Sequence, residues 1–389
     1  MCRSLDGKYV LTHHHLEQDS TSYNRQKHTP RILAIAGGKG GVGKSITASM
    51  LGMCLAGFER KTVLIDADFG GSNLHNYLGL QHVDSGLSDF LYNTSKSLND
   101  FCRETFFRYL QVIPFHSDFT TRITVSNNLK FRFFQELKAL PADYIILDLG
   151  TASTDLALDM FLAADDKILM STGELFSIQN TYQFIRRALI HLLGRATFNS
   201  IYATELFHTC GQLSDGQLVK PFSAALEHLK KEDPASYAHL DHIFSNFVPK
   251  LILKCSEGES LRDVSLLGPV IRDLLNISVS YLGKIHEDHL ISSVIRQGRP
   301  DMLLNPMGRA ASDIVSLVTR HVLAEEAQSR KASMRMEQAL LSQPTSPETD
   351  EKPICDRQCL VWYCCEKRCT GEPCARLSRR AIKKVKETL

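Results

Sequence analysis

The residues with the clearest chemical potential are Gly38-Lys39-Gly40-Gly41-Val42-Gly43-Lys44-Ser45, which satisfy the spacing G-x-x-x-x-G-K-[ST]. Glycines let successive backbone N–H groups turn inward around phosphate oxygens, and a helix starting near Gly43 adds its positive N-terminal end. Lys44 is then placed to reach the β- and γ-phosphates of a nucleotide, the Ser45 hydroxyl to ligate Mg2+, and Ile46 to carry the binding segment into the helix. A glycine-rich structural turn is the plain alternative, but a turn needs no Lys-Ser pair and no strand and helix at its flanks. Two acidic sites complement the loop. The apolar run from Thr62 ends in Asp66-Ala67-Asp68, and Tyr144-Ile145-Ile146-Leu147 closes on Asp148. Carboxylates at the carboxyl ends of strands beside a phosphate loop sit where Mg2+ and an attacking water must be held, although two acids at a strand end also serve local turns.

Such groups need a scaffold, and the pattern from Arg31 onward supplies one. Short β-branched runs, Ile32 to Ala36, Thr62 to Asp66, Gln111 to Pro114, Tyr144 to Asp148, Lys167 to Ser171, Leu251 to Lys254 and Val279 to Leu282, alternate with helix-length segments. Apolar runs of this length predict a mainly parallel sheet covered on both faces, an α/β doubly wound fold. Residues 1–30, with His13, His14 and His15 in a row, read as a flexible arm. The body that carries the phosphate loop runs over 31–341, with a helical insertion at about 197–246 where Gly211, Gly216 and Pro234 interrupt the alternation, and a final helical stretch from about Pro306 to Leu341. Residues 342–354, with Pro344, Pro347 and Pro353, read as a linker to a Cys-rich basic module at 355–389.

At 389 residues and 43% hydrophobic, the chain is long enough to bury a large core. No apolar run has the length of a membrane-spanning helix and the first residues lack a signal-peptide pattern, so the expected setting is cytoplasmic. The net charge of +2 is unevenly spread: residues from Cys355 to Leu389 carry net +5, leaving the rest at −3. Of eleven cysteines, Cys2, Cys54, Cys102, Cys210 and Cys255 are scattered without pairing rhythm, as in a reducing compartment.

The loop's form, with Lys39 as well as Lys44, resembles the deviant Walker A segment of the MinD/ParA superfamily. That resemblance implies ATP and Mg2+ as cofactors and an ATP-dependent homodimer in which Lys39 crosses to the partner's nucleotide. Lys39 would act there as an arginine finger does, worth on the order of 10³–10⁵ in rate, whereas the plain alternative is a solvated surface lysine. It further implies that Asp68 orients the attacking water, that Asp66 supports Mg2+ or its loop, and that Asp148 holds Mg2+ through a water. Leu149-Gly150-Thr151-Ala152-Ser153 is similar to the second switch of flagellar members, with Ala152 where the family usually has glycine. Ala adopts positive φ at a cost, which puts switch motion at issue. Phe161-Leu162-Ala163-Ala164-Asp165, Ser177-Ile178-Gln179-Asn180-Thr181-Tyr182, Tyr281-Leu282-Gly283 and Val294-Ile295-Arg296-Gln297-Gly298-Arg299-Pro300 resemble segments of flagellar-number regulators of the FlhG (YlxH) type. The resemblance runs from about Arg31 to Val322 and implies a protein that positions a cellular structure, with a slow, partner-stimulated ATPase and a flagellar activator or cargo. One departure concerns the base: the family commonly places an adenine-reading asparagine where this chain has Lys254, which donates hydrogen bonds but accepts none. The family's use of ATP and the lack of an N-K-x-D motif still favour ATP over GTP.

The terminal module holds Cys355, Cys359, Cys364, Cys365, Cys369 and Cys374. Thiolates four residues apart share a helix face, so Cys355 with Cys359 and Cys365 with Cys369 are candidate ligands for Zn2+ or an iron–sulfur cluster; redox disulfides or no shared role are the alternatives. Beyond Cys374, Leu377, Ala381, Ile382, Val385 and Leu389 fall near one helical face of a basic segment, which suits weak contact with an anionic membrane and peripheral placement at its inner face. Two other functions fit the sequence: a Mrp-like metal-cluster carrier or assembly ATPase, and a nucleotide-binding scaffold with negligible turnover.

Overall fold

The computed structural model describes residues 29–326, apart from 72–73, 81, 93–94, 117–124, 153, 195–221, 257–266 and 306–307. The strands are β1 (Arg31–Ala36), β2 (Thr62–Asp66), β3 (Arg103–Glu104), β4 (Leu110–Ile113), β5 (Tyr144–Asp148), β6 (Asp166–Thr172), β7 (Lys250–Cys255) and β8 (Ser280–His286). The helices are α1 (Lys44–Gly57), α2 (Leu74–Tyr77), α3 (Leu87–Tyr92), α4 (Asn127–Ala139), α5 (Asp155–Ala163), α6 (Leu175–Gly194), α7 (Phe222–Glu232), α8 (Pro234–Asn246), α9 (Leu267–Leu275), α10 (His289–Arg296) and α11 (Arg309–Leu317). The strands form one sheet in the order β3-β4-β2-β5-β1-β6-β7-β8. Every pairing is parallel except β3 with β4.

The apolar strands become parallel because they are buried on both faces. Along β1, Ile32, Ala34 and Ala36 join the core that also takes in α4, α5 and α6, while Leu33 and Ile35 join the opposite core with α1 and α11. This is the period-two alternation of a strand, made invisible in the sequence because both faces are dry. Seven strands lie where the apolar runs predict them, and β3 is the addition. Its two residues are too few to carry a periodic signal, and it pairs antiparallel at the sheet edge.

Helices at 222–232 and 234–246 lie within the interrupted stretch, and Pro234 begins α8, where its missing N–H costs nothing. The final helical segment starts at Arg309 and widens into a π-helical turn over Val318–Leu323. At the amino ends of the strands, Asp166 takes Arg31 and Lys250, each at 2.7 Å, and Glu325 takes Lys250 at 2.9 Å. This network fastens the end of the described chain to β1, β6 and β7, leaving the carboxyl ends of the strands open for chemistry. The expected arm, linker, cysteine module and basic helix lie outside the described residues.

Candidate nucleotide site

The loop from Gly37 to Gly43 joins β1 to α1 over the carboxyl edge of the sheet. Gly43 caps α1 with φ 91°, and Gly41 has φ 79°, both in the left-handed region that favours glycine. Gly38 is fixed by contact as well: a Cβ there would stand 2.1 Å from the Asn180 carbonyl oxygen on α6. Lys44 is buried, and its Nζ donates to the Lys39 carbonyl at 2.8 Å, so the side chain folds back along the loop. Burial pulls the Lys44 pKa down, while Asp148 and Asp68 pull it up. Those three groups therefore share one field.

On the acidic side, β2 and β5 pair so that Asp66 lies beside Asp148. The Asp66 carboxylate accepts from the Asp68 and Leu74 N–H groups at 3.2 Å each. It shapes the segment that carries Asp68. Gly150 has φ 55°, and a Cβ there would meet the Asp68 carboxyl carbon at 2.2 Å, so only glycine lets the segments that follow β2 and β5 touch. Asp148 is fully buried and its pKa is pushed up to about 6, by burial first, with hydrogen bonding from Ser45 opposing and Asp68 adding repulsion. Its Oδ1 accepts weakly from Gly150 N–H at 3.4 Å, and its Oδ2 has no hydrogen-bond partner. A buried, unsatisfied carboxylate oxygen beside a serine hydroxyl is a hard-donor pair suited to Mg2+. Ala152 does adopt positive φ, 44°, while its carbonyl accepts from Arg187 at 3.1 Å. For a residue with a Cβ this conformation costs about 1–2 kcal/mol.

Lys39 pairs with Glu174 at 2.8 Å, at the start of α6. Leu175 and Phe176 follow, both exposed. Lys254, at the end of β7, pairs with Glu287 just beyond β8 at 3.0 Å. Sequence reasoning named Lys39 and Lys254 but neither carboxylate partner. Among the described residues no group of three or more His, Cys, Asp or Glu could hold a metal ion by itself, and no helix is long and apolar enough to cross a membrane.

Residues 30–197, which contain the loop, Asp66, Asp68, Asp148 and Lys39's partner Glu174, match the AAA domain family (AAA_31). The chromosome partitioning protein ParA of Myxococcus xanthus (strain DK1622) is 33% identical over 160 residues, 39% of this chain and 56% of that protein. The iron–sulfur cluster carrier protein of Bacillus subtilis (strain 168) is 30% identical over 145 residues, 37% of this chain and 40% of that protein. In fold, the septum site-determining protein MinD of Pyrococcus horikoshii OT3, solved as a complex with Mg-ADP, superposes with TM-score 0.50 at 20% identity over 76% of this chain and 97% of that one. Over residues 30–197 the chain is similar to P-loop proteins of the MinD/ParA type, and its likeness to the solved MinD is one of fold. Its match spans about half the length of the curated relatives, 56% and 40%.

Proposed function

We propose that the chain is an ATP-dependent dimerisation switch whose output is the placement of a cellular structure. The observation that carries this reading is the convergence of Lys44, Asp68 and the unpartnered Asp148 oxygen on the phosphate loop, with Lys39 held outside it. The loop amides and Lys44 bind the triphosphate. Ser45 and Asp148 are the groups that would hold Mg2+, which offsets phosphate charge when bound. Asp68 orients a water for in-line attack on the γ-phosphorus, breaking the bond to the β–γ bridging oxygen and releasing ADP and phosphate. Lys39 completes the charge around the phosphoryl group of a second copy.

Hydrolysis is slow in isolation and rises with a protein activator or cargo, and the segments quoted above make a flagellar assembly the favoured one. The basic terminal segment supplies peripheral membrane contact. A second reading, delivery of a metal cluster, is favoured by the iron–sulfur carrier relative and by the cysteines from Cys355 to Cys374. Phosphate release from ATP separates the readings of the loop. The wild type should turn over in proportion to the square of its concentration when dilute, Lys44→Ala should bind no ATP, and Lys39→Ala should bind ATP yet release no phosphate. Turnover by Lys39→Ala at the wild-type rate would refute the dimer mechanism.

A further inference from the structure

Sheet order fixes which side of the phosphate loop a base must occupy. The loop follows β1, and Asp148 closes β5 and Asp68 stands just beyond β2, both on one side of it. The terminal phosphate therefore points that way, and the nucleoside end lies toward β6, β7 and β8, outside the carboxyl edge of the sheet.

At that place the chain carries a fixed charge pair. Lys254 Nζ donates to Glu287 Oε1 at 3.0 Å, and Ser256 Oγ donates to Glu287 Oε2 at 2.9 Å. The Glu287 backbone is fixed too, its N–H donating to the Cys255 carbonyl at 2.8 Å. The pair borders the loop itself, since a Cβ on Gly43 would lie 3.8 Å from Lys254 Cδ. Hydrogen bonding from Lys254 holds the Glu287 carboxyl below the usual carboxylate range, so at neutral pH it only accepts. An ammonium has three donors and a carboxylate about four lone-pair sites, so each keeps capacity for a ligand.

We propose that Lys254 and Glu287 are the base-selecting pair of this site and that they admit guanine as well as adenine nucleotides. The inference rests on the nucleotide-binding reading of the loop. A donor fixed beside an obligate acceptor matches the six-position edge of guanine, where O6 accepts from Lys254 while N1–H and the N2 amine donate to Glu287. Adenine uses the same pair with fewer bonds, giving its N6 amine to Glu287 and a ring nitrogen to Lys254.

The test is displacement of a ribose-labelled fluorescent ATP from the full chain in Mg2+, by unlabelled ATP and GTP. The expected result is GTP competing within about tenfold of ATP, because either purine satisfies the pair. Glu287→Gln turns one acceptor into a donor, which suits the N6 amine and N7 of adenine but opposes the guanine edge, and should move the ratio toward ATP by on the order of tenfold. GTP competing more weakly than that in the wild type, or a ratio unmoved in Glu287→Gln, overturns the proposal and leaves ATP binding at the loop standing. A label that does not bind, or that binds Lys44→Ala as well as wild type, overturns the loop reading and this inference together. If Glu287→Gln fails to fold, the wild-type ratio decides.

Discussion

Asp148 should destabilise the nucleotide-free protein at neutral pH, and replacing it should reveal by how much. Its pKa rises from 3.8 to about 6 on folding, chiefly through burial. The folded state therefore binds more protons than the unfolded chain between those values, so stability is fully present below 3.8 and falls as pH climbs through about 6. At about 1.4 kcal/mol per pH unit, the loss is on the order of 3 kcal/mol. Asp148→Asn removes the charge and keeps the shape. In urea denaturation without Mg2+ or nucleotide, the variant should exceed the wild type by up to about 3 kcal/mol at pH 8, and the gap should close toward pH 4. Saturating ATP·Mg2+ should then stabilise the wild type and not the variant, because only the carboxylate has a donor oxygen waiting for the ion. A variant less stable than wild type at pH 8, or a gap that widens on acidification, would refute the reasoning.

Gly150→Ala should displace the Asp68 carboxylate, since the new Cβ would stand 2.2 Å from its carbon, and reduce phosphate release at least tenfold with ATP affinity little changed. Asp68→Ala should slow hydrolysis and leave a persistent ATP-bound dimer in size-exclusion chromatography; a monomer in saturating ATP would remove the role given to that residue. Deleting everything after Gln343 should leave ATP affinity unchanged, while Cys→Ser changes at Cys355, Cys359, Cys365 and Cys369 should each lower zinc or iron content in untagged protein, as read by elemental analysis.

The sequence was most readable where one segment contains its own explanation. β1, β2 and β5 are continuous apolar runs closing on Gly37, Asp66 and Asp148, and the phosphate loop's glycines, lysine and serine follow one another directly. Contacts made by folding were not readable. Glu174 lies 135 residues from Lys39, and Glu287 lies 33 from Lys254, and nothing local marks either acid as a partner. Asp66 was placed with Mg2+ or with its loop. Its carboxylate accepts from the Asp68 and Leu74 N–H groups, contacts set by how the chain turns after β2. The meeting of Gly150 with Asp68 depends on the register that sets Asp66 beside Asp148, which only strand pairing supplies. Ala152 stands where the resemblance implies glycine, and its φ of 44° shows that the backbone keeps the conformation glycine would take there.

Nucleotide-driven pairing of two copies through Lys39 is measured directly by sedimentation velocity. In ATP·Mg2+ the wild type should sediment as a dimer, and in ADP·Mg2+ as a monomer. Lys39→Ala should bind ATP and remain monomeric, because in the single chain Lys39 pairs with Glu174 while Lys44 folds along the loop. A Lys39→Ala protein that dimerises in ATP as the wild type does would show that Lys39 does not join the two copies.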